Sequence, residues 1–69
     1  MNHTVIIPKT MDFGQDLQIS TNLQFFLRLN NLKLFRDYRF VIDFNNHIYQ
    51  FDQYHHAEMF ANKFSGTIQ

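Results

Sequence analysis

The sequence predicts a small mixed α/β domain, one unit over residues 1–69, in which a small sheet carries two helices in the order β-α-β-(β)-α. Three patterns support this. Thr4-Val5-Ile6-Ile7 is a β-branched run stopped by Pro8, Tyr38 to Phe44 alternates with period two, and Ala57, Phe60, Ala61 and Phe64 recur at i, i+3, i+4 and i+7.

The first strand is expected over residues 4–8, because Pro8 has no amide hydrogen to offer a sheet. Residues 9–18 read as a connection, with Gly14 and Asp16 as turn formers. Thr21 and Gln24 have the spacing of a capping box, so a helix is expected over 22–33. On a helical wheel Leu23, Phe25, Phe26, Leu27, Leu29 and Leu32 cover well over half the circumference. A surface helix needs only one apolar stripe, so this arc is either sandwiched inside its own domain, which 69 residues can hardly satisfy, or shared with a second chain.

The second strand is expected over 38–44, with Tyr38, Phe40, Ile42 and Phe44 on one side. Asp43 is expected to end it and to hold the following turn through side-chain bonds to backbone amides. Two continuations stay open at this point. Asn45-Asn46 forms a two-residue hairpin turn, placing Phe40 opposite Phe51, Ile42 opposite Tyr49 and Arg39 opposite Asp52, or an irregular loop leads to the next helix. That helix is expected over 53–64, capped by Asp52 and closed by Ser65-Gly66, with glycine in the left-handed conformation. The tail Thr67-Ile68-Gln69 has room for one edge strand. The expected core is Val5, Ile7, Leu23, Phe26, Leu27, Phe40, Ile42, Phe44, Ala57, Phe60, Ala61 and Phe64.

A core this small supplies about 3 to 5 kcal/mol without reinforcement, and the absence of cysteine removes disulfides and thiolate zinc sites. Nine Phe and three Tyr exceed what one small core needs, which points to burial against a partner. Six Lys plus Arg balance six Asp plus Glu, so no basic field favours nucleic acid, although Arg28, Lys33, Arg36 and Arg39 gather in one stretch. There is no apolar run long enough to span a bilayer and no secretory leader pattern, so a cytoplasmic location without membrane contact is expected.

The strand Val41-Ile42-Asp43-Phe44-Asn45-Asn46 and the opening Val5-Ile6-Ile7-Pro8-Lys9-Thr10-Met11-Asp12-Phe13 resemble STAS and STAS-like domains over residues 4–66. In that family a core strand ending in such a pattern leads directly into a helix. The resemblance implies a regulatory partner of an ATPase-type or signalling protein, in an incomplete version lacking the family's last helix and strand. It departs from the family where antagonists carry a phosphorylatable serine, since Phe51-Asp52-Gln53-Tyr54 has no hydroxyl at that position. A short, cysteine-free chain of this kind also fits a phage or mobile-element inhibitor that occludes a host complex.

No enzymatic chemistry is expected. His3, His47, His55 and His56 lack metal-ligand spacing, because adjacent His55 and His56 point about 100° apart on a helix. Ser20 and Ser65 sit in no nucleophile elbow, and neither glycine belongs to a phosphate loop, so no cofactor is implied. The working surface is expected at the start of the second helix, on Tyr49, Asp52, Tyr54, His55 and Met59, facing a protein partner or another copy. His55 and Met59 share a face there, turned away from the Ala57, Phe60 and Phe64 stripe.

Overall fold

A computed structural model describes residues 2–69. The elements run β1 (His3–Pro8), α1 (Phe13–Leu29), β2 (Tyr38–Val41), β3 (Asn46–Phe51), α2 (Tyr54–Phe64) and β4 (Thr67–Ile68). The four strands form one antiparallel sheet in the order β2-β3-β1-β4. β3 lies between β1 and β2, and β1 lies between β3 and β4, so two split β-α-β units interleave in the ferredoxin-like arrangement. The expected mixed fold with two helices on a small sheet is therefore present, and both the optional third strand and the tail strand form.

Period two decides which side chains meet the helices. Val5 and Ile7 of β1, Tyr49 and Phe51 of β3 and Tyr38 of β2 point to one face and are buried with Leu23, Leu27, Leu32, Ala57, Phe60 and Ala61. Their neighbours Ile6, Ile48 and Val41 are cross-strand partners on the other face, which no helix covers. Ile19, Phe26, Phe64 and Ile68 close the rim of the core.

The first helix starts nine residues earlier than the capping-box spacing implies. Asp12 is its N-cap, accepting the Gln15 amide at 3.0 Å, while the Thr21 hydroxyl donates to the Leu17 carbonyl inside the helix. The helix also ends sooner, at Leu29. Asn31 is left-handed (φ 61°), and the Leu32 and Asn31 amides donate to the Leu27 and Arg28 carbonyls, a Schellman ending that folds Leu32 into the core.

The alternation through Tyr38 to Phe44 overstates the second strand. Pairing stops at Val41 opposite Ile48, and Phe40 faces Tyr49, two residues from the register expected for a tight Asn45-Asn46 turn. Ile42 and Phe44 leave the core altogether, and Phe40 stays half exposed at the sheet edge. The cause is Asp43, whose carboxylate accepts the Asn45 and Asn46 amides at 3.0 and 2.9 Å and bends the chain two residues after Val41, the last paired residue. Its expected role in the turn is seen, and that role shortens the strand.

The second helix has Gln53, not Asp52, at its N-cap and no side-chain cap bond. At its end Ser65 is left-handed (φ 56°) rather than Gly66. Gly66 is needed for space, since a Cβ there would lie 2.8 Å from Val5 Cγ1 and 3.0 Å from Ile7 Cγ1.

Phe60→Ala is expected to lower stability by roughly 3 to 5 kcal/mol, most of what a domain of this size has, whereas Ile42→Ala should change it by less than about 0.5 kcal/mol. Urea denaturation of the two variants checks both, and equal losses would mean that Ile42 belongs to the core.

Candidate functional site

Two loops meet at one end of the sheet, residues 9–12 between β1 and α1 and residues 42–45 between β2 and β3. Hydrogen bonds join them: the Lys9 amide donates to the Asn45 carbonyl at 2.9 Å and Lys9 Nζ to the Asp43 carbonyl at 2.8 Å. Within the first loop the Thr10 hydroxyl donates to the Asp12 carbonyl at 2.9 Å, and Asp12 caps α1. These bonds hold the polar groups of both loops at the surface. Their large apolar side chains are left outside: Met11, Phe13, Ile42 and Phe44 are each at least 83% exposed. They line an open groove of about 660 Å³ with Asp16 and Asp43 beside them.

Behind this pole His47 and Asp16 form a part-buried polar contact that joins two elements. Nε2 of His47 lies 2.8 Å from Asp16 Oδ1, with both side chains largely shielded. Asp16 sits in the first turn of α1 and His47 on the core side of β3, so the pair fastens the helix start to the sheet. Partial desolvation pushes the Asp16 carboxyl up. The hydrogen bonds from His47 and the Thr10 amide, with the charges of His47 and Lys9, outweigh it and hold Asp16 below the usual carboxylate range. Ser20 lines the pocket beside His47, but among the described residues no hydrogen bond links them, so the pair has no attached nucleophile.

Of the five residues expected to form the working surface, three stand exposed together and two do not. Tyr49 is a correction, because it is only 5% exposed on the core face of β3. Its ring packs 5.0 Å from Phe60, its hydroxyl accepts Gln24 Nε2 at 2.9 Å, and burial pushes its phenol up, with the Gln24 bond opposing. Asp52, Tyr54 and His55 are exposed together at the start of α2. Asp52 lies 3.9 Å from Arg39, and Tyr54 meets the His3 ring edge-on at 5.4 Å. Met59, expected on a solvent-exposed face with His55, is half-buried.

Sequence reasoning missed the pole formed by Met11, Phe13, Ile42 and Phe44, because alternation assigned Ile42 and Phe44 to the core. The available signal was Asp43, Asn45 and Asn46, three turn formers within four residues, which mark a loop against the apolar alternation. A second exposed aromatic stands at the far end of α1. Phe35 is held at φ 69°, a region unfavourable for a bulky side chain, by its amide bond to the Tyr38 carbonyl at 2.7 Å.

Among the described residues no group of three or more His, Cys, Asp or Glu is placed to hold a metal ion, and no helix is long and apolar enough to cross a membrane. Compared with known proteins, the chain matches no family model, no curated protein and no solved structure.

Because Asp16 is more acidic folded than unfolded, its contribution is present above about pH 4 and is lost as pH falls through the folded value. Asp16→Asn should therefore melt below the parent at neutral pH, with the gap closing as pH falls from about 5 to about 2. Melting curves across that range test this, and a gap that does not change with pH would assign the loss to packing. Phe35→Gly should raise stability by about 0.5 to 1 kcal/mol, since glycine accepts the left-handed conformation without strain. A lowered urea midpoint would show that Phe35 contributes more by packing than it costs in strain.

Proposed function

We propose that this chain is a non-catalytic protein–protein interaction module that engages its partner through the apolar pole of Met11, Phe13, Ile42 and Phe44. The observation that supports it most strongly is the size of the exposed surface. Four side chains of about 150 to 200 Å² each present on the order of 600 to 800 Å², above the few hundred Å² that a soluble monomer ordinarily leaves in one patch. Burying such a patch is favourable in proportion to its area, and the hydrogen bonds between the two loops hold its shape before any partner arrives. Asp52, Tyr54 and His55 at the start of α2 gain less by leaving water, because their polar groups already hydrogen-bond to solvent.

The likeness of residues 4–66 to STAS-like domains is the support for a regulatory partner of ATPase or signalling type. It rests on sequence alone: the strand of that pattern is expected to run directly into a helix, whereas here Ile42 to Asn45 turn into β3. An occluding inhibitor would use the same pole in the same way.

A photoreactive benzoylphenylalanine placed at position 44, and in a second variant at position 55, tests the assignment in the cells that carry the gene. A discrete adduct from position 44 and none from position 55 is expected. An adduct from position 55 alone would move the interface to the start of α2, and no adduct from either would overturn the module reading.

A further inference from the structure

The charged residues are sorted along α1. At its N-terminal end the apolar pole carries the carboxylates of Asp12 and Asp43 against the ammonium of Lys9, while Asp16 is taken up by His47 at 2.8 Å. Toward its C-terminal end Phe25 and Leu29, 61% and 69% exposed, form an apolar shelf over Phe26 and Phe64. Lys63 lines this shelf, Arg28 follows Phe25 by one turn, and Lys33 and Arg36 come next in the chain. The carboxylate there, Asp37, pairs with the Arg36 guanidinium at 2.7 Å, which takes both out of the balance and leaves Arg28, Lys33 and Lys63. One chain thus carries an apolar patch with excess negative charge and another with excess positive charge, while its net charge is zero.

We infer that the acidic pole of one copy docks on the basic shelf of a second copy, so that the chain associates head to tail. The inference rests on the reading of the pole as a docking surface and names its occupant. Three facts favour a second copy. The patches complement each other in charge as well as in being apolar, which steers encounter and orients the contact. Helix α1 has 17 residues and a length of about 25 Å, so the two ends cannot meet within one molecule. The area fits a weak, reversible contact, since the shelf offers only two exposed apolar side chains against the four of the pole, which puts the interface at or below the about 1,200 Å² where specific interfaces begin. A contact between two different patches is heterologous, so it leaves a free pole and a free shelf for further copies.

The test uses the full chain in sedimentation experiments from about 5 µM to about 500 µM, a range that brackets micromolar association. The parent should gain mass steadily with concentration. Phe44→Glu disables the pole and Phe25→Glu the shelf, and each variant alone should stay at the 8.4 kDa monomer. Mixed in equal amounts they should form a 1:1 pair that grows no further, because each retains one working patch. Circular dichroism checks their fold, and Phe44→Ser with Leu29→Ser replace them if a glutamate variant fails it. A parent that stays monomeric, a folded variant that associates alone, or a mixture that does not pair would each overturn head-to-tail docking. With a monomeric parent, an adduct from position 44 to a different protein would leave the pole standing as a docking surface, whereas no adduct would remove both readings.

Discussion

The ring of Phe60 lies 5.0 Å from Tyr49 and 5.1 Å from Phe51 on β3, 6.1 Å from Phe26 on α1 and 5.2 Å from Phe64 on its own helix. Both helices and β3 therefore meet on one fully buried side chain. Aromatic rings bury much area on two rotatable bonds, and tilted pairs of this kind favour each other beyond simple burial. In a chain without disulfides this cluster is the main source of cohesion. The close approach of Gly66 to Val5 and Ile7 and the Schellman turn that delivers Leu32 both serve to seal its edges.

Packing both helices on one face of the sheet has a cost in exposure. Ile6, Ile48 and Val41 lie on the face away from the helices, and large apolar residues fall on loops and on the outer side of α1. The loops at the two ends differ in how they are held. At the 42–45 end, carbonyls and carboxylates accept bonds from Lys9, Asn45 and Asn46, fixing a shape with apolar side chains outward. At the other end Asp37 accepts the Lys33 amide and pairs with Arg36, which holds the Phe35 loop in a strained conformation.

Electrostatics follows the same axis. Asp12 and Asp16 lie at the positive end of the α1 dipole and Arg28 at its negative end, so each favours the helix. The same placement gives each end an apolar surface with its own sign of charge. Local helix stability and the polarity of the molecule thus come from one distribution of side chains. The His47 to Asp16 contact ties this helix to the sheet at the acidic end, linking the shape of the pole to the core.

Local pattern determined much of this protein. The β-branched run before Pro8, the Ala57, Phe60, Ala61 and Phe64 stripe and the turn held by Asp43 are properties of neighbouring residues, whose periods and hydrogen bonds do not need the rest of the chain, whereas the tail strand exists only by pairing with β1. The start of α1 was written locally too, in Asp12, yet Gly14 and the capping-box spacing of Thr21 and Gln24 masked it, since helix propensity is a weak prior. Tertiary structure alone decided the register of β2 on β3, because tight and wide turns keep the same alternation and differ only in which residues end up paired. That choice buried Tyr49, expelled Ile42 and Phe44, and so created the pole. It also brought together Asp16 and His47, 31 residues apart in sequence, a contact that no local pattern encodes because it exists only once the sheet has closed.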